Sequence, residues 1–131
     1  TGVQARVNLL AMKEVFPKLA EVRCYDLYEA STDRFITDMQ PQLPGAVFTK
    51  CVDMQSAVTG SDVLITCTPI VETPERFIPR DWIKDDCLVI SVDYDSAIHE
   101  DIFAGANFTC DNRNQYVWTR EQGTYFQNGY R

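Results

Sequence analysis

The sequence predicts an α/β fold built on a doubly wound, mostly parallel sheet. Two apolar runs carry that expectation. DVLIT at 62–66 and LVISV at 88–92 are continuous rather than alternating, as strands covered on both faces are. Segments with apolar residues at helical spacing alternate with further short β-prone runs, the order that a parallel sheet with crossover helices requires. The 131 residues contain no internal repeat, low-complexity tract or linker, and suit one domain.

Each element has its own signal. Val3, Val7, Leu10, Ala11, Val15 and Phe16 recur at helical spacing over 3–16, with Gln4, Arg6, Asn8, Lys13 and Glu14 on the other face, and Pro17 ends the run. Val22, Cys24 and Tyr25 form a short strand ending at Asp26. A helix follows over roughly 28–40, stopped by PQLPG at 41–45. Residues 46–49 are a short β-prone run, and 52–60 a small helix closed by Gly60. The strand at 63–66 runs into Thr66, Cys67 and Thr68; a loop with Pro74 and Pro79 leads to the strand CLVISVDYD, which ends in two aspartates. ANFTCD at 106–111 reads as a further short strand, and the tail 112–131 as a polar, aromatic segment in need of a partner surface. Trp82 and Trp118 read as packing residues, and His99 as an exposed turn histidine.

Composition is that of a globular protein, 45% hydrophobic and 24% charged. The net charge of −7 and pI near 4.6 exclude nucleic-acid binding through a broad basic face. They leave room for an anionic cofactor, because backbone amides at a helix start hold phosphate without Lys or Arg. Five cysteines, an odd count without C-x-x-C spacing, read as small buried hydrophobes in a reducing compartment. With one histidine, His99, no metal site is expected. No apolar run reaches the ~18 residues of a membrane span, and no signal peptide is evident, so a cytoplasmic protein without a membrane partner is expected.

The opening TGVQA fits half of a dinucleotide-binding loop. In G-x-G-x-x-G/A, Gly2 is the second glycine, where the backbone approaches a pyrophosphate, and Ala5 the small third residue that lets the helix pack closely. The first strand and first glycine are then expected before Thr1. Asp26 ends the next strand at close to the offset of about 20 residues expected for the acid that binds an adenosine ribose. A carboxylate there disfavours a 2′-phosphate, so NAD is expected over NADP. Asp26 is equally suited to capping the next helix, and both roles are compatible.

TGVQARVNLLA, the Tyr25-Asp26 pair, SDVLITCTP at 61–69 and WIKDDCLVISVDYD at 82–95 together resemble the ornithine cyclodeaminase/mu-crystallin family, with spacing kept over nearly the whole chain. The resemblance implies a dinucleotide-binding (Rossmann-like) domain over 1–131, the central part of a larger, homodimeric chain whose other segments form a substrate-binding domain. It matches Gly2, Val3 and Gln4 to the pyrophosphate loop, Asp26 to the ribose acid, and Thr66, Cys67 and Thr68 to the segment lying along the cofactor. Asp95 falls where cyclodeaminases carry their catalytic aspartate. The pattern departs at Tyr94, where those enzymes have glycine, which implies a substrate other than ornithine.

The implied chemistry is hydride transfer between NAD and the α-carbon of an amino acid or its imine, with a strand-end carboxylate as general base. Asp93 and Asp95 face one side if their strand continues to 95 and are the candidate catalytic pair; paired carboxylates would raise one pKa. The alternative for each is capping or plain solvation. Asp111, Arg113 and Gln115 are expected to border the nicotinamide by position. A non-catalytic dinucleotide- or ligand-binding protein of the mu-crystallin type is the competing class, and a flavodoxin-like or methyltransferase-like domain the third.

Overall fold

The structure, a computed structural model, describes residues 1–123, 125 and 126. Helix α1 spans Val3–Val15 and Pro17 follows its end. Strand β1, Glu21–Cys24, leads to α2, Glu29–Met39. Glu29 in the first turn of α2 favours the positive end of the helix dipole. Strand β2, Val47–Lys50, is followed by α3, Met54–Val58, whose N-terminus Asp53 caps by accepting from the Ser56 N–H at 2.7 Å. Gly60, at φ +78°, makes the left-handed turn beyond α3 that a side chain would strain. Strand β3 is Val63–Thr66, β4 is Leu88–Ser91, and α4 is Arg113–Gln122.

The strands are parallel, as expected, but form two two-stranded sheets rather than one. Glu21 to Cys24 pair with Val47 to Lys50, and Val63 to Thr66 with Leu88 to Ser91. Helix α3 returns the chain past β1, and α1 contacts β3.

Each sheet has its own core. Leu9, Cys24, Phe35, Met39, Leu43 and Ala46 pack around the first; Val58, Ile78, Ile83, Ala97, Ile98 and Ile102 pack around the second. A parallel bridge between Ile78 and Ile98 ties the loop after β3 to the segment after β4.

Several expectations need correction. Helix α1 buries Leu9 with Ala5 packed beside it, while Val3 and Val7, on the expected core stripe, are 76% and 57% exposed. Arg6 sets this orientation. Its guanidinium bonds the carbonyls of Thr1 and Gly2 and the Asp38 carboxylate (2.7 Å), and lies 5.4 Å over the Phe35 ring. Residues 106–111 form no strand, so Cys110 is exposed; of the five free cysteines only Cys24 is buried. The tail forms α4, capped by Asn112, which accepts from the Gln115 N–H, and Trp118 on that helix is 65% exposed. The expectation for residues 124 and 127–131 lies outside the described residues.

Candidate functional site

The ends of β1 and β3 and the start of α1 meet on one cavity, lined by Gly2, Asp26, Thr66, Cys67 and Thr68 among others. In open α/β sheets, ligands bind beyond the C-terminal ends of the strands; Gly2, Asp26 and residues 66–68 border the part of the cavity that lies there, and the rest runs alongside β1 and β3.

Asp26 accepts from the Thr1 hydroxyl at 2.5 Å and from the Tyr28 N–H at 3.0 Å. Partial burial alone would raise its pKa. The bonds from the Thr1 hydroxyl and the Tyr28 N–H outweigh that, holding the carboxyl below its ordinary range. Beyond it, Leu27 and Tyr28 are exposed. Asp26 thus serves the local turn and also faces the cavity.

The α1 N-terminus has no side-chain cap. Gly2 has an ordinary φ of −71°, and a Cβ there would meet no atom within 4 Å. The fold itself therefore tolerates a side chain at position 2, and the space left by glycine, beside uncapped helix amides, fits the close approach of a phosphate. Val3 and Gln4 lie on the outer surface of α1.

Strand β4 stops at Ser91, so residues 92–95 turn and the condition for Asp93 and Asp95 to share a strand face is not met. Each carboxylate has its own partners. Asp93, 1% exposed, accepts from Thr66 Oγ1 (2.7 Å), Ser91 Oγ (3.1 Å), the Thr68 N–H (2.9 Å) and Thr68 Oγ1 (2.6 Å). It pins the loop 66–68 to the end of β4. Cys67, within that loop, has its thiol pKa raised by burial and by the Asp93 charge, which keeps it protonated.

Asp95 is fully buried. Arg76 Nε donates to it at 2.9 Å and the Phe126 N–H at 3.2 Å. Tyr94, between the two aspartates, has φ +59°, a conformation that glycine adopts freely and tyrosine rarely. Its ring packs against Tyr125 (5.1 Å) and Phe126 (5.8 Å), forming an aromatic layer beside Asp95. The sequence reading missed Arg6, Arg76 and this layer. Arg6, one turn after Gly2, carried a local signal; the Arg76–Asp95 pair, separated by a loop and a strand, carried none.

His99 caps a 3-10 turn through Nδ1, which accepts from the Asp101 N–H, and its side chain is 45% exposed. Asp111, Arg113 and Gln115 are exposed around the start of α4. Among the described residues, no group of three or more His, Cys, Asp or Glu is placed to hold a metal, and no helix is long and apolar enough to cross a membrane.

Residues 1–127 match the ornithine cyclodeaminase/mu-crystallin family. The chain belongs to that family. A curated relative, N-((2S)-2-amino-2-carboxyethyl)-L-glutamate dehydrogenase of Staphylococcus aureus, is 27% identical over 106 residues. The match covers 81% of this chain and 30% of the relative's length.

Proposed function

We propose that residues 1–131 are the cofactor-binding part of a larger, homodimeric NAD-dependent enzyme acting on an amino acid or its imine. The observation that carries this reading is the convergence of Gly2, Asp26 and the 66–68 loop on one cavity, past the ends of β1 and β3. The dehydrogenase name of the relative favours hydride transfer as the net reaction. NAD, when bound, supplies the hydride acceptor.

The chain's own groups then have defined tasks. The uncapped amides of α1, from the Gly2-Val3-Gln4 start, hold the pyrophosphate. Asp26 accepts from the ribose hydroxyls, and its negative charge repels the 2′-phosphate of NADP. Thr66, Cys67 and Thr68 lie along the cofactor, and Asp93 positions them through Thr66 and Thr68. Asp95 takes a proton from the substrate amine or an attacking water once substrate displaces the Phe126 segment that covers it. Tyr94 narrows the substrate side, against simple ornithine.

A second reading, a non-catalytic binder, draws on the complete burial of Asp95 and its pairing with Arg76. Asp95→Asn in the full-length protein separates the two. A catalyst loses turnover of its amino acid or imine and keeps NAD affinity. A wild-type protein that binds NAD yet turns over no amino acid or imine in a broad panel supports the binder instead.

A further inference from the structure

Among the described residues, three that are not glycine have positive φ: Arg76 (+50°), Tyr94 (+59°) and Phe126 (+58°). All three meet at Asp95. Arg76 Nε donates to its carboxylate, the Phe126 N–H donates to both carboxylate oxygens at 3.3 and 3.2 Å, and Tyr94 is its chain neighbour. Ser96, the next residue, holds the one buried side-chain oxygen or nitrogen without a hydrogen-bond partner among the described residues. Left-handed backbone at bulky residues and a stranded hydroxyl both cost free energy, and such strain persists where surrounding contacts hold it. Those contacts come from Tyr125 and Phe126. The Phe126 ring packs against Tyr94 (5.8 Å) and Tyr116 (4.9 Å), and the Tyr125 hydroxyl donates to the Val71 carbonyl. Val71 and Arg76 lie on the loop after β3, in which alternate residues from Pro69 to Phe77 border the cavity while Arg76 turns to Asp95. Tyr125 and Phe126 thus tie the edge of the cavity to the turn after β4.

We propose that Tyr125 and Phe126 form a strap over Asp95 that opens as a local unit in the ligand-free protein, with the Asp95 carboxylate as its latch. Opening breaks the bonds of Tyr125 and Phe126 and separates their rings from Tyr94. In exchange it lets Tyr94 and Phe126 leave the left-handed region, so the closed and open forms lie close in free energy. In the closed form Asp95 is fully buried and offers no surface to a substrate. A substrate amine therefore selects the open form and takes the place that the Phe126 N–H vacates on the carboxylate. Arg76, on the loop after β3, remains as the second donor and keeps the carboxylate oriented. The use of opening rests on the reading of Asp95 as proton acceptor; the opening itself rests on the geometry alone.

Amide hydrogen exchange on the full-length protein, without nucleotide or substrate, tests it. An open population of roughly 0.1–10% gives the Phe126 amide a protection of about 10- to 1000-fold. The Val92 amide, bonded to the Thr66 carbonyl at the end of the β3–β4 ladder, should be protected at least about tenfold more. Asp95→Asn removes the charge of the latch and should lower protection at Phe126 by about tenfold or more. The Gly123 amide, bonded to the Thr119 carbonyl at the end of α4, should be unchanged in that variant. Phe126 protected as strongly as Val92 overturns the proposal, because the strap then opens only when the whole fold does. An unprotected Phe126 amide also overturns it, because no latch then holds the strap. Equal losses at Phe126 and Gly123 in the variant, or no loss at Phe126, overturn the assignment of Asp95 as the latch. Where Asp95→Asn does not hold its fold, the wild-type pattern decides by itself. Turnover of an amino acid or imine, measured separately, tests the reading of Asp95 as proton acceptor: a strap that opens in a protein without turnover removes that reading and leaves the strap standing.

Discussion

Asp93→Asn probes the junction that holds the candidate cofactor loop in place. The substitution keeps the volume of a side chain only 1% exposed and removes its charge. Asp93 Oδ2 accepts both the Thr68 N–H and the Thr68 hydroxyl, and Oδ1 accepts the Thr66 and Ser91 hydroxyls. An asparagine keeps its one oxygen for the Thr68 N–H and turns its NH2 to the Thr66 and Ser91 hydroxyls, which can rotate to accept. Four charge-assisted bonds then become neutral ones, a loss of roughly 0.5–1 kcal/mol each. The expected loss is about 2–4 kcal/mol. With a urea slope of roughly 1–3 kcal/mol per molar, the unfolding midpoint falls by about 1–2 M at unchanged slope. Ser91→Ala, which removes one hydroxyl from the same network, should cost only about 1 kcal/mol. Equal midpoints for the two variants, or an Asp93→Asn shift below ~0.3 M, would refute the role assigned to this carboxylate.

Other outcomes follow from packing, backbone and charge. Phe35→Ala empties the centre of the first core and should cost about 3–5 kcal/mol in denaturant unfolding, with Arg6 also losing the ring beneath it. Tyr94→Ala and Tyr94→Gly both lose the contacts with Tyr125 and Phe126, but only glycine escapes the strain of φ +59°; the glycine variant should be the more stable by ~1 kcal/mol. The folded-state pKa of Asp26 lies below its ordinary 3.8, so its contribution to stability is present above that value and lost as pH falls through the lower folded one. Asp26→Asn should therefore flatten the acid limb of the stability profile below about pH 4 and leave its shape near neutrality unchanged; an unchanged acid limb contradicts the assignment.

The parts of the fold visible in the sequence are those set by local pattern. β3 falls at 63–66 as expected because VLIT is a continuous apolar run, and α2 stops where PQLPG prevents continuation. The buried side of α1 was misjudged because apolar residues occupy more than one side, and the choice among them is made by Arg6 through partners as distant as Asp38. Helix α4 has weak apolar periodicity, although Asn112 followed by Gln115 is a capping signature that could have marked its start. The site divides in the same way. Gly2 and Asp26 border one cavity with residues 66–68, and their places there follow from local spacing at the start of α1 and the end of β1. The distinct surroundings of Asp93 and Asp95 were not legible in the sequence, since they follow from a strand ending at Ser91 and a left-handed tyrosine that no propensity favours.

Calorimetric binding of NAD and NADP to the full-length protein, with Asp26→Ala beside it, tests the central claim most directly. The account predicts that the wild type binds NAD in preference to NADP. It also predicts that Asp26→Ala weakens NAD by about 10- to 100-fold, the loss of charge-assisted hydrogen bonds worth ~1.5–3 kcal/mol, and narrows the preference. Binding of neither nucleotide, or equal NAD affinity in wild type and variant, would contradict it.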